Sequence, residues 1–273
     1  MKVNKIKRRG NGPAVLLGLI GFALVAAGLM FGYEKLHEIW CEQCQVVDVS
    51  EQVTIISGKM VKPDVIAENL GITNGANLAT LDFAAGRREI LRKIHTLREI
   101  TITRELPDRV HIVAEERTPI ARMGVRGYRK VTGRVVDFEG MVFICQRGTQ
   151  TLPTISEPSA PGTPSGQRLS NRARSALTLI ETCRNPEFAE LAVQDVDISK
   201  PDYLLVTLGN YSKAKISWDG MDDAGSRSKA DLEARLRNLV DAIRSRVAPT
   251  TVIWNATIPD RIFADTQEKQ QTK

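Results

Sequence analysis

Residues 98–121 read R-E-I-T-I-T-R-E-L-P-D-R-V-H-I-V-A-E-E-R-T-P-I-A. Ile100 and Ile102 alternate with Thr101 and Thr103, and Val110 and Ile112 alternate with Arg109 and His111. Successive side chains of an extended chain point to opposite faces, so each half predicts a strand with one apolar and one wet face. Leu106-Pro107-Asp108 predicts the turn between them, since Pro presets one φ and Asp can bond its own backbone. Pro119 ends the outgoing strand because it has no N–H to give to a ladder. A two-stranded hairpin is not stable alone in water, so its apolar face predicts covering helices or further strands. Ile100, Ile102, Val110 and Ile112 are the candidate core positions. Glu115 and Glu116 read as a solvated strand face paired with neighbouring Arg117.

Upstream, Val46–Ser57 is rich in Val and Ile and predicts a strand that Gly58 breaks. Lys62-Pro63-Asp64 opens a helix, Pro being tolerated in its first turn. Val65, Ile66, Asn69 and Leu70 follow at helical spacing, and Gly71 ends it. After Asn74-Gly75, a second helix is predicted over Thr80–Thr96, with Leu81, Ala84, Ala85, Arg88, Ile90, Leu91 and Ile94 as its inward stripe. The order β-α-α-β-β predicts a small α+β domain over 46–118.

Farther upstream, Ala14–Tyr33 (A-V-L-L-G-L-I-G-F-A-L-V-A-A-G-L-M-F-G-Y) carries no charge over twenty residues. That length matches a hydrocarbon core of ~30 Å at about 1.5 Å per residue, so 14–33 is predicted to be a transmembrane helix. Lys2, Lys5, Lys7, Arg8 and Arg9 crowd the tail at 1–13, whereas Glu34, Lys35 and Glu38 are near neutral. This asymmetry places the N-terminus in the cytoplasm and the bulk of the chain outside it. A cleaved signal peptide would have an apolar core of only ~7–15 residues; here the run continues through Leu29, Met30 and Phe31. Tyr33 and Trp40 are the expected interfacial anchors. The net charge of +6 is concentrated at this tail, and no basic stripe with interleaved aromatics marks a nucleic-acid binder.

Downstream, Val131–Ile144 reads as strand, turn and strand around Glu139-Gly140. Ser156–Ser170 is rich in Pro, Ser and Gly and reads as loop. Asn171–Cys183 and Ser228–Val247 carry helical apolar stripes, the latter through Leu232, Leu236, Leu239, Val240 and Ile243. Val193–Ile198, Tyr203–Leu208, Lys213–Trp218, Thr250–Thr257 and Arg261–Ala264 read as strands, the last two split by Pro259-Asp260. These make 119–264 a β-domain with flanking helices, followed by a polar tail at 265–273.

Taken together, these motifs resemble the FtsQ/DivIB family of bacterial cell-division proteins, single-pass membrane proteins with a POTRA domain. The hairpin is similar to the end of that domain at Arg104, Leu106, Pro107, Glu116, Arg117, Pro119, Ile120 and Ala121. Ile72-Thr-Asn-Gly75-Ala-Asn77-Leu78-Ala-Thr-Leu81-Asp82 resembles the family's lead-in to its second helix. Val136-Asp137 with Gly140 and Val142-Phe143, and Leu152-Pro153-Thr154-Ile155, resemble the start of its β-domain. Asn255 stands where the family usually has Asp. The resemblance implies a divisome scaffold in the cytoplasmic (inner) membrane, enriched at the septum, whose partners are small bitopic coiled-coil proteins of the FtsB/FtsL kind. It also implies that the final strand pairs with the partner, which makes Ile258, Arg261, Ile262, Phe263 and Ala264 the candidate partner-binding residues. The bland alternative is that this strand simply closes the β-domain core. A POTRA-bearing factor in protein transport or outer-membrane assembly is the rival function; it predicts repeated POTRA units or a following membrane barrel.

Catalytic chemistry is not expected. His37, His95 and His111 are the only histidines, and no H-E-x-x-H, G-x-S-x-G or Walker loop occurs. That absence also argues against an anchored wall hydrolase. Cys41 and Cys44 form a C-x-x-C near His37, but the βαβ context of a redox motif and the four ligands of a zinc site are lacking, which leaves a disulfide or two idle thiols. Cys145 and Cys183 read as small buried hydrophobes. Asp222-Asp223 sits in a Gly-flanked loop where Asp serves turn geometry. No cofactor, metal, small-molecule substrate or nucleic acid is expected.

Overall fold

The computed structural model describes residues 28–33, 35, 43–105, 107–125, 133–145, 147–159, 162–221, 226–245 and 252–266. Most of the predicted anchor (14–27), the tails at 1–13 and 267–273, and His37, Trp40, Cys41, Leu106, Val131 and Asp222-Asp223 lie outside the described residues. Residues 28–33 are helical, with Leu29, Met30, Phe31 and Tyr33 exposed. Among the described residues no helix is long and apolar enough to cross a membrane.

The fold is α+β. In order come α1 (Val49–Gln52), β1 (Val53–Ile56), α2 (Pro63–Asn69), α3 (Phe83–Lys93), β2 (Leu97–Glu105) and β3 (Arg109–Glu116). There follow β4 (Ala121–Val125), β5 (Arg134–Val136), β6 (Val142–Ile144), β7 (Thr154–Glu157), α4 (Asn171–Cys183) and a 3-10 helix at Pro186–Leu191. The chain closes with β8 (Asp195–Asp197), β9 (Leu204–Thr207), β10 (Lys213–Ile216), α5 (Ser226–Ser245), β11 (Val252–Ile258) and β12 (Arg261–Thr266). They build a three-stranded sheet, β1-β3-β2, and a nine-stranded sheet, β12-β11-β10-β9-β8-β7-β4-β5-β6. The chain divides into two compact units. Of the described residues, one holds those within 1–56, 63–88 and 101–113, the other those within 57–62, 89–100 and 114–273.

In the first unit β1 pairs in parallel with β3, from Val53↔Val110 to Ile56↔Val113. Ile66, Leu70, Ile72, Leu78, Phe83, Val110 and Ile112 are buried, while Ile102 is only half-buried. The predicted strand over Val46–Ser57 is shorter than expected. The Asp48 carboxylate accepts from the Ser50 N–H at 2.8 Å and from the Ser50 hydroxyl. That cap turns the chain into α1, and only Val53–Ile56 is left extended. Helix α3 also starts late. The Asp82 carboxylate accepts from the Ala85 N–H at 2.9 Å, and Phe83 rather than exposed Ala84 enters the core. Pro107-Asp108 forms the hairpin turn.

In the second unit, one face of the large sheet packs against α4, α5 and the 3-10 helix. Met123, Ile155, Leu177, Phe188, Val196, Val206, Leu236, Leu239 and Trp254 belong to that core. The sequence reading placed no strand after Pro119, yet β4 lies between β7 and β5. Ala121, Met123, Gly124 and Val125 are all buried; a strand covered on both faces shows no alternation to read. A Cβ on Gly124 would stand 2.8 Å from the Thr154 side chain, so glycine permits the close β4–β7 pairing. Helix α4 has the bounds expected of it, and the 3-10 helix was not foreseen.

Candidate partner-binding edge

The final hairpin is built around an irregularity in β11. Asn255 Oδ1 accepts from the Thr257 N–H at 3.2 Å and from the Thr257 hydroxyl at 2.8 Å. The pairing of β11 with β12 shifts register there, between Asn255↔Phe263 and Ile258↔Arg261. Arg235, 5% exposed on α5, donates to the Thr257 carbonyl at 2.9 Å and more weakly to that of Ala256, while its Nε bonds Asp231 at 3.0 Å. This guanidinium satisfies carbonyls that the bulge turns away from the ladder. The turn at Pro259-Asp260 then puts Asp260 at φ 57°, a left-handed conformation that Asp tolerates better than most residues.

The five candidate residues divide by face. Ile262 and Ala264 are half-buried and pack against the core. Phe263 is 46% exposed on the opposite face, across from Asn255, and Ile258 is 47% exposed at the end of β11. Arg261 is exposed. Among the described residues β12 is the end strand of the sheet and pairs only with β11. Its free side carries backbone groups that a further strand could bond. Arg235 was missed because it sits inside a helical stripe beside Leu236, where sequence gives no hint of a distant carbonyl. Asn255-x-Thr257 is an Asx pattern that local reading could have found. The Asn255 amide oxygen accepts the two bonds that an Asp carboxylate would accept there.

A second arrangement lies within the other end of the same unit and corrects the reading of Glu115-Glu116-Arg117. Glu116 is not a solvated partner of Arg117. Its carboxylate accepts the N–H groups of Lys59 (3.0 Å), Met60 (2.8 Å) and Val61 (2.7 Å). Arg117 instead pairs with Asp137, whose side chain is 1% exposed, and with Glu139 at 2.9 Å. Arg98 completes the chain of charges, bonding Glu139 at 2.9 Å and Glu115 at 3.2 Å, with its guanidinium 4.9 Å from the Phe138 ring. The Arg117 hydrogen bond, with help from Arg98, holds the Glu139 carboxyl below the usual range. The Ile120 N–H bonds the Val136 carbonyl at 2.8 Å, and Ala121 is fully buried. The E-R-x-P-I-A and V-D-x-x-G motifs, read separately in sequence, are thus two halves of one contact.

His95 lies beyond the end of α3, its Nδ1 3.1 Å from the Ser165 hydroxyl, and His111 is half-buried on β3. Among the described residues no group of three His, Cys, Asp or Glu could hold a metal. Cys44, Cys145 and Cys183 are free thiols, the first two buried, and burial pushes the Cys183 thiol up to about 12.

Residues 50–117 match the family model described as the POTRA domain, FtsQ-type. The match runs from within α1 to just past β3 and takes in both Ile72–Asp82 and the hairpin. No curated protein matches the sequence.

Proposed function

We propose that this chain, which carries an FtsQ-type POTRA domain over residues 50–117, is a non-catalytic scaffold of the bacterial division septum. In this reading 14–33 anchors it in the cytoplasmic membrane with the N-terminus inside. The POTRA domain (46–118) and the β-domain (119–264) then hold other division proteins outside. The family match carries the reading, since POTRA domains are protein-interaction modules. The partners are bitopic coiled-coil proteins of the FtsB/FtsL kind, and the contact is strand addition at β12. Backbone bonds along the free edge give affinity, and exposed Phe263 and Ile258 give choice. The position of β12 at the end of the nine-stranded sheet supports this, as does the way Ile262 and Ala264 leave the opposite face to Phe263.

The test combines location with binding. A fluorescently tagged chain is expected at mid-cell. Ile262→Pro removes an N–H from β12, and Phe263→Ala removes exposed apolar surface. Both are expected to abolish co-purification of the coiled-coil partners without lowering the melting temperature by more than a few degrees. A uniform membrane signal, or partners retained by both folded variants, refutes the proposal. Protease added to spheroplasts is expected to remove everything beyond Tyr33; a protected bulk refutes the orientation.

A further inference from the structure

We infer that β6, the other end strand of the nine-stranded sheet, binds an acidic, extended segment of a partner protein. The proposal is independent of β12 and of any partner there. On its inner side β6 pairs with β5 through Arg134↔Ile144, Val135↔Phe143 and Val136↔Val142. The Cys145 N–H bonds the Gly133 carbonyl at 2.9 Å. In an antiparallel ladder, hydrogen-bonded and non-bonded pairs alternate. Pairs 133/145 and 135/143 are therefore the bonded ones, and Val142 and Ile144 turn their backbone groups outward. Those of Val142 are taken: its N–H bonds the Gln167 carbonyl at 2.9 Å and its carbonyl accepts from Gly166 at 2.8 Å. The strap then turns away at Ser165-Gly166, preceded by Pro164, which has no N–H to offer. The outward N–H and carbonyl of Ile144 consequently have no partner among the described residues, and its side chain is 54% exposed. The ladder is open at the point where the molecule's own covering segment stops.

What surrounds this opening selects the occupant. A cavity of about 360 Å³ adjoins it, lined by Met60, Ile144 and Cys145 and by the cations Lys59, Lys62 and Arg147. All three cations are exposed, and none pairs with a carboxylate among the described residues. The oxygens of the nearby Glu116 carboxylate are engaged by three backbone N–H groups rather than by these side chains, so three cations stand against one carboxylate. Unpaired strand-edge groups, an apolar floor and an excess of positive charge together fit an extended peptide that alternates acidic and apolar residues. A flat anionic surface would use the cations but not the Ile144 backbone. The bland alternative is that the lysines only guard the edge against self-pairing.

The experiment uses the full chain in mild detergent and fluorescence anisotropy with two short labelled peptides, one alternating Glu with Val and one alternating Lys with Val. The Glu–Val peptide is expected to bind and the Lys–Val peptide not to. The double change Lys62→Glu with Arg147→Glu, both on exposed side chains, is expected to weaken binding at least about tenfold with the melting temperature unchanged. Ile144→Pro, which deletes the outward N–H, is expected to do the same; should it fail to fold, the charge variant decides. Phe263→Ala is expected to leave peptide binding untouched. Equal binding of the two peptides, or full affinity in the charge variant, overturns the proposal. So does loss in Phe263→Ala, or capture of phosphatidylglycerol vesicles with no binding of the Glu–Val peptide.

Discussion

Arg117→Ala is the perturbation that most directly probes the contact between the two motifs. Arg117 is 11% exposed, and its two carboxylate partners differ in what they lose with it. Glu139 is 31% exposed and keeps Arg98 at 2.9 Å, so water and a second cation support it. Asp137 is 1% exposed and, among the described residues, keeps only the Met141 N–H, at 2.8 Å, as a side-chain partner. Removing the guanidinium leaves that carboxylate charged and buried. Stranding one member of a buried pair costs about 3–5 kcal/mol, far more than an exposed pair contributes. For a unit of this size the loss corresponds to roughly 6–20 °C in melting temperature. Asp137→Asn removes the charge but keeps an oxygen for Met141, and is expected to cost about 1–3 kcal/mol. In the double variant no buried charge is stranded, so the two losses do not add, and the coupling is expected to exceed about 1 kcal/mol. Urea titration followed by tryptophan fluorescence measures this, since Trp218 and Trp254 are both buried in that unit. Strict additivity, or an Arg117→Ala loss under about 1 kcal/mol, refutes the reasoning.

Three further predictions follow from burial and charge. Ile112→Ala, at a fully buried position, is expected to cost about 2–5 kcal/mol, and Ile102→Ala, half-buried, clearly less; equal urea midpoints would contradict the burial pattern. Because the folded Glu139 carboxyl titrates below its ordinary value of 4.5, its contribution is complete above that pH and is lost as the pH falls through the folded value. The urea midpoint is therefore expected to drop on acidification below about 4.5, and Glu139→Gln to show a shallower drop; identical pH profiles would rule the linkage out. With its thiol pushed up to about 12, Cys183 is expected to resist iodoacetamide at mildly alkaline pH in the native protein and to react once urea unfolds it, as read by peptide mapping; rapid native labelling would show the site to be open.

Local periodicity and turn chemistry wrote much of the fold into the sequence. The β-α-α-β-β order, the hairpin turning at Pro107-Asp108, helix α4 at Asn171–Cys183 and the closing pair split by Pro259-Asp260 each depend on residues within a few positions of one another. The errors were local competitions of the same kind. Asp48 and Asp82 captured nearby N–H groups and moved the boundaries of β1 and α3. Pairing across long separations was decided only by the tertiary structure. Arg117 had adjacent Glu115 and Glu116 to choose in sequence, yet it takes Asp137 and Glu139, because β3 and β4 leave Glu116 facing the 59–61 backbone. β4 was invisible because burial on both faces erases the alternation that marks a strand. The same holds for the two free edges. A sequence shows that Arg261–Ala264 and Val142–Ile144 are extended, but only the strand order places β12 and β6 at opposite ends of one sheet. Ladder neighbours are chosen by long-range backbone pairing, and the period of a strand carries no record of which strand lies beside it.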